Sequence, residues 1–259
     1  MPHDDQDGSV VMERINRSMT TGCLTMLIAL VLVLAAGLSW LGYADWHAGK
    51  VNGERRQEAV SSILRQGRDA ADDTARSLDA SRTSDVDELT GVIWEHTGSP
   101  LIAYDASRDA FTARLPKRVV YETVGVLPGG GSDAVSRCLD FTYSRPHGHA
   151  WTPRVTARDG DACRPATEVG SLSRLAGKRI EGIGVRQLTR AGVQQALDPT
   201  GTLRTFTVRS VVREDGTAAV SVLISSHDGT VGQCYRITRS VPGSGEAHPS
   251  VTVTPASSC

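Results

Sequence analysis

The sequence predicts a single transmembrane helix plus an extracytoplasmic α+β domain, in which a helix–antiparallel-strand module is duplicated and closed by disulfides. Three observations carry this expectation. Residues 23–41, CLTMLIALVLVLAAGLSWL, contain no charge and no proline, and a bilayer core of roughly 30 Å takes about 20 apolar residues at helical rise. Farther along, short runs rich in β-branched and apolar residues are divided by Asp-Gly and Pro-Gly turns, a strand-and-hairpin pattern. Finally, the interval from Cys138 to Cys163 equals that from Cys234 to Cys259.

In hydrocarbon every backbone N–H and C=O must bond within its own segment, so the apolar run is read as a helix. Trp40, Tyr43 and Trp46 follow at its end, where amphipathic rings favour the headgroup layer. The span is therefore set at residues 23–43, with the lipid bilayer as its partner. The run exceeds the 7–15-residue core of a cleaved signal peptide and Leu34-Ala35-Ala36 is a poor cleavage site, which favours an uncleaved signal anchor. Cys23 opens the run, whereas a lipidated cysteine follows one.

Arg14 and Arg17 precede the span and Lys50, Arg55 and Arg56 follow it, so the positive-inside count is indecisive. Cysteine usage decides instead. Cys138, Cys163, Cys234 and Cys259 form an even set suited to disulfides in an oxidising compartment. The expected topology puts the N-terminus in the cytoplasm and the C-terminal domain outside the plasma membrane. Lysine occurs only at positions 50, 117 and 178 amid abundant Arg, Ala, Gly and Val, a bias of high-GC bacterial genomes. The net charge of −1 gives no basis for nucleic acid as a partner.

Residues 1–22 are polar, without apolar periodicity, and are expected to form a disordered cytoplasmic tail. Residues 44–82 read as a helical stalk, with Val60, Ile63, Leu64, Ala71, Ala75 and Leu78 recurring at helical spacing. The stalk either joins two copies as a parallel coiled coil, a possible homodimer, or leans on its own domain. Gly67 and the alanines make a thin seam and favour leaning.

The first α+β unit is placed at residues 83–165. Ser84 with Asp87 and Glu88 resembles a capping signal for a helix whose face is Val86, Leu89, Val92 and Ile93, stopped at Gly98-Ser99-Pro100. Strands are expected at Leu101–Tyr104, Phe111–Leu115, Val119–Leu127 and Val135–Ser144, followed by a loop rich in Pro, Gly and His as far as Cys163. The second unit spans residues 166–259. Leu172–Leu197 reads as helix, weakened by Gly177, Gly182 and Gly184. Leu203–Arg213, Thr217–Ile224 and Thr230–Val241 read as strands around Asp215-Gly216 and Asp228-Gly229 turns.

Shifting the chain by 234 − 138 = 96 lays CLDFTYSRP on CYRITRSVP. Thr142, Ser144 and Pro146 then match Thr238, Ser240 and Pro242, and Pro153, Val155 and Thr156 meet Pro249, Val251 and Thr252. Upstream, Val124, Val126, Leu127 and Val135 meet Val220, Val222, Leu223 and Val231. Such self-similarity is the mark of a repeated unit. Equivalent units pair Cys138 with Cys163 and Cys234 with Cys259. Cys23, in the membrane, acts as a small apolar filler.

Catalytic and metal signatures are weak. His147-Gly148-His149 has two imidazoles but no third ligand at a recognised spacing and reads as an exposed loop. Gly129-Gly130-Gly131-Ser132 lacks a P-loop lysine and reads as a turn, and Gly182-Ile183-Gly184 lacks the third glycine of a dinucleotide site. No GxSxG, HExxH or SxxK is present, the acidic residues are scattered, and Trp94 and Trp151 read as packing residues. The expectation is a bitopic bacterial envelope protein without catalysis or cofactor, whose outer domain binds a protein or cell-wall partner. The alternative is a ligand-binding sensor, or an accessory subunit of an envelope enzyme complex. A concave pocket lined by convergent polar groups favours the alternative, and a flat apolar patch favours the first reading.

Overall fold

The computed structural model describes residues 7–126, 129–146, 149–202, 204–214, 216–240 and 250–259, with side chains from residue 24 onward. The chain divides into two compact units, one formed by Met1–Gln57 with Tyr121–Asp133, the other by Glu58–Val120 with Ala134–Cys259.

Helix α1 is Asp7–Ser81. The expected tail, residues 1–22, therefore belongs to this helix from Asp7 on. Once an apolar segment has supplied the nucleus, each added residue costs little, and Glu13 stands four residues before Arg17, a supporting pair on a helix face. The stalk is the same helix continued. From Leu24 to Leu41 the side chains are exposed, Met26 at 79% and Val33 at 70%. This stretch is long and apolar enough to cross a membrane. Still in the first unit, Asn52 and Arg55 bond to the backbone of Glu122–Val124.

In the second unit, the C-terminal part of α1 buries Ala59, Ile63, Gly67, Ala71, Thr74, Ala75 and Leu78. This face covers the first sheet. A Cβ on Gly67 would stand 3.0 Å from Leu139 and 3.5 Å from Val155, and Asp79 accepts the Trp151 backbone N–H at 3.0 Å. The apolar seam of the stalk is thus used by its own domain. Arg82, with φ of 53°, turns the chain into helix α2, Val86–Thr97. The N-cap of α2 is Asp85, one residue past the expected Ser84, because its carboxylate accepts from the N–H groups of Asp87 and Glu88. Gly98 closes the helix in the left-handed region.

The first sheet runs β1-β2-β3-β4 in order. Its strands are β1 Leu101–Asp105, β2 Ala110–Thr123, β3 Gly131–Ser144 and β4 Thr152–Asp159. Two expected strands fuse into β2. Strand β1 pairs with β2 only as far as Arg114, so beyond it one side of β2 is an edge, where Pro116 is tolerated. The expected loop before Cys163 contains β4, whose Val155 pairs with Phe141. Ile102, Phe111, Ala113, Leu139, Phe141 and Tyr143 are buried beneath α1.

Helix α3, Arg164–Glu181, starts earlier than expected because Pro165 suits a first turn. Gly182–Gly184 ends it, and α4, Arg190–Leu197, follows with Thr189 as its cap. Buried Arg239 donates to the carbonyls of Ile180 and Ile183, satisfying the end of α3. Strands β5 Phe206–Glu214, β6 Thr217–Ser225, β7 Gly232–Ser240 and β8 Val251–Ala256 make a second sheet, again in sequential order. Val169, Ala176, Ile180, Val193 and Leu197 of the helices pack on Phe206, Val220, Val222, Tyr235 and Ile237.

The two sheets share strand order and direction, yet their flanks differ from the ungapped alignment. Val155 faces Phe141, whereas Val253, not Val251, faces Ile237. Upstream, Val124 and Val126 lie beyond β2, while Val220 and Val222 lie inside β6. Asp215, Leu127 and His147-Gly148 lie outside the described residues.

Candidate binding face on the first sheet

A strand presents alternate residues to opposite faces. With Phe111, Ala113, Leu139, Phe141 and Val155 turned to α1, the intervening residues of the first sheet form its other face. There Ala103, Thr112, Arg114, Asp140, Thr142, Thr156 and Arg158 line a cavity of about 250 Å³. Arg114 Nε stands 2.7 Å from Asp140 Oδ1, and Arg158 Nε stands 2.8 Å from Oδ2. One carboxylate thus accepts a hydrogen bond from Arg114 and ion-pairs with Arg158, leaving one net positive charge. The Asp140 side chain is only 16% exposed and that of Arg158 is 62% exposed, so the acid is structural and the outer guanidinium faces solvent. Such a cup suits an anionic or carbonyl-bearing group, which two oriented guanidiniums can clamp. It holds no nucleophile–base pair.

Cys138 lies on the same side of β3 as Asp140 but is fully buried, and its Cα lies 5.2 Å from that of Cys163 at the start of α3. Cys234 and Cys259 stand 5.4 Å apart by Cα. Both pairs are at disulfide distance. Trp40, Tyr43 and Trp46 are 59%, 62% and 62% exposed, with the Tyr43 and Trp46 ring centroids 6.1 Å apart.

Among the described residues no group of three or more His, Cys, Asp or Glu is placed to hold a metal ion. His149 lies in the β3–β4 connection, its carbonyl accepting from Arg145. Trp151 is buried against Phe111, with the Arg145 guanidinium 5.9 Å from its ring centroid. Gly129 and Gly130 belong to the β2–β3 connection, and Gly182–Gly184 separate α3 from α4. The sequence reading missed Arg114, Asp140 and Arg158. They are far apart in the chain, and only strand register makes them neighbours.

No family model matches the chain, and no curated protein matches its sequence. A solved structure described as "Ntf2 like protein involved in plasmid conjugation" shares 13% identity, over 61% of this chain and 75% of that one, with a TM-score of 0.15. A likeness at that TM-score carries no argument about fold or function here.

Proposed function

We propose that this chain is a single-pass bacterial envelope protein. Residues 1–22 lie in the cytoplasm, residues 23–43 cross the plasma membrane, and the two-sheet domain outside binds a protein or cell-wall partner without catalysing a reaction. The carrying observation is the stretch Leu24–Leu41, whose leucines, valines and isoleucine stand exposed side by side. A soluble protein of this size rarely leaves so much contiguous apolar surface in water. Trp40, Tyr43 and Trp46 follow as interfacial anchors, and two cysteine pairs at disulfide distance suit an oxidising exterior.

A duplicated module underlies the domain. In each half a helix crosses a four-stranded meander at a glycine that faces its last strand. A Cβ on Gly67 would meet Val155 at 3.5 Å, and one on Gly177 would meet Val253 at 2.7 Å. Val155 and Val253 occupy matching register positions, opposite Phe141 and Ile237. Between register partners the return from Phe141 to Val155 (155 − 141 = 14) is two residues shorter than that from Ile237 to Val253 (253 − 237 = 16). The path on to the cysteine is two residues longer (163 − 155 = 8 against 259 − 253 = 6), so both separations come to 25. The Arg114–Asp140–Arg158 cup supports the second reading, an accessory subunit or sensor that takes an anionic group on this face.

The test is alkaline carbonate extraction combined with membrane-impermeant thiol labelling of intact cells. The protein should stay in the pellet, with Cys138, Cys163, Cys234 and Cys259 labelled from outside only after reduction. Labelling confined to permeabilised cells would put the domain in the cytoplasm and refute the topology.

A further inference from the structure

The first unit contains a second element besides the apolar helix, the tip of the β2–β3 hairpin. We propose that this tip, centred on Val124–Val126, is a second membrane contact that rests in the headgroup layer beside the span; this inference rests on the reading of residues 23–43 as membrane-spanning.

Three observations carry it. The tip is clamped to the helix. The Asn52 side-chain amide donates to the Val124 carbonyl at 2.9 Å and accepts the Val124 N–H at 2.8 Å, as a neighbouring strand would. One turn on, Arg55 donates to the Glu122 carbonyl at 3.0 Å, and Tyr121 donates to Asp133 at 2.9 Å across the hairpin.

Secondly, the tip runs back toward the span. Trp40 and Arg55 line one hollow of about 410 Å³ with Val124, Val126, Gly129 and Gly130. At about 1.5 Å per helical residue, Trp40 lies about 18 Å before Asn52 along the axis. The hollow beside the tip therefore includes Trp40, which lies at the water-side end of the apolar run.

Thirdly, its chemistry suits that layer. From Thr123 through Ser132 the chain carries no charge. Val124 is 36% exposed, and Val120, just before it on the hairpin, is 62% exposed. The two sides of the hairpin approach closely at its base, since a Cβ on Gly130 would stand 2.6 Å from the Thr123 carbonyl. An uncharged, valine-bearing edge beside an interfacial tryptophan fits the headgroup–acyl boundary, where apolar area and polar backbone are both accommodated.

The experiment uses the full chain in vesicles of phosphatidylcholine and phosphatidylglycerol, in a Cys23→Ser background with the paired cysteines oxidised. An environment-sensitive fluorophore is attached to single cysteines at Leu32→Cys, Glu54→Cys and Val126→Cys, and quenching is compared between doxyl-labelled lipids and aqueous iodide. Glu54 is exposed and lies about 20 Å past Leu41 along the helix, so its probe reports water. The expected result is lipid quenching at 32 and 126, stronger from shallow than deep doxyl at 126, with iodide quenching at 54. Adding Asn52→Ala should cut lipid quenching at 126 at least twofold, and no change would show that the clamp does not hold the tip. Iodide quenching alone at 126, with lipid quenching intact at 32, overturns this inference and leaves the span standing. Absence of lipid quenching at 32 overturns the span, and this inference with it.

Discussion

Replacing Gln233 by leucine tests whether one buried amide joins the two sheets. Gln233 is 4% exposed. Its Oε1 accepts the Ile102 N–H of β1 at 2.8 Å, and its Nε2 donates to the carbonyls of Cys234 at 3.1 Å and Ala256 at 2.7 Å. Leucine has similar bulk, so little cavity is created, and the whole cost lies in the hydrogen bonds. Three bonds at a net worth of about 1 kcal/mol each, with one N–H of an edge strand left buried and unpaired, give a loss of about 2–4 kcal/mol. For a domain of this size each kcal/mol lowers Tm by about 2–4 °C, so the drop should be about 5–15 °C. Thermal unfolding of the full chain in detergent, followed by tryptophan fluorescence, reads the size. Hydrogen exchange at the Ile102 amide reads the place. A change within about 0.5 kcal/mol, as for an ordinary surface substitution, with Ile102 protection unaltered, would refute the bridging role.

Gly67→Leu should destabilise the domain by about 1–3 kcal/mol through overpacking against Leu139 and Val155; an unchanged melt with a gained dimer in detergent would show the stalk seam to be free instead. Asp140→Ala strips Arg114 and Arg158 of their shared partner, which should cost about 1 kcal/mol, as for partly exposed pairs, and weaken sulfate or phosphate binding measured by calorimetry; unchanged or tighter binding would refute the pre-orienting role. Burial pushes the hydroxyls of Tyr143 and Tyr235 up to about 12. The unfolded chain releases these protons near pH 10, so stability falls as pH rises from about 10 to 12, and absorbance at 295 nm should show both rings resisting ionisation across that window. The Ser226 hydroxyl, then the Thr230 backbone and side chain, hold the Asp228 carboxyl down at about 2. Its contribution is present above the ordinary 3.8 and lost as pH falls toward 2, and Ser226→Ala should raise the titration midpoint seen by carbon NMR.

Elements with strong periodicity were legible in the sequence. The stalk positions Ile63, Ala71, Ala75 and Leu78 are buried in the helix, and the Thr217–Ile224 alternation is β6. Strand β4 was illegible because Pro153 and three arginines or aspartates leave only Val155 and Ala157 as its apolar side, too short a signal for a period of two. The strands expected at Phe111–Leu115 and Val119–Leu127 are one strand, because β1 is too short to flank β2 at Pro116 and leaves it an edge there. Helix α2 was read one residue off at its cap because Ser84 and Asp85 both suit the role, and only carboxylate geometry chooses between them. The cup on the first sheet was invisible for a different reason. Arg158 faces Cys138 and Thr156 faces Asp140, so Arg158 is a diagonal neighbour of Asp140 only in this register, and a slip of one residue would turn it to the helix side.

That register dependence also bears on the proposed anion-binding reading of this face. A sheet has two faces, and α1 consumes one of them along with nearly all the large apolar side chains of the first half. On the other, water would ordinarily solvate long arginines as mobile chains, yet Arg114 is held 2.7 Å from a carboxylate that is itself largely withdrawn from solvent. Ordering such side chains costs rotamer entropy of about 2 kcal/mol each, and here Asp140 takes that cost at folding rather than at binding. A partner carboxylate or phosphate reaching this cup would find the Arg114 guanidinium already oriented and Arg158 drawn beside it, with less left to lose on association. Pre-orientation of two cations by one acid is poor design for stability alone, because partly exposed ion pairs contribute little. It fits the proposed reading of this face as one that takes an anionic group.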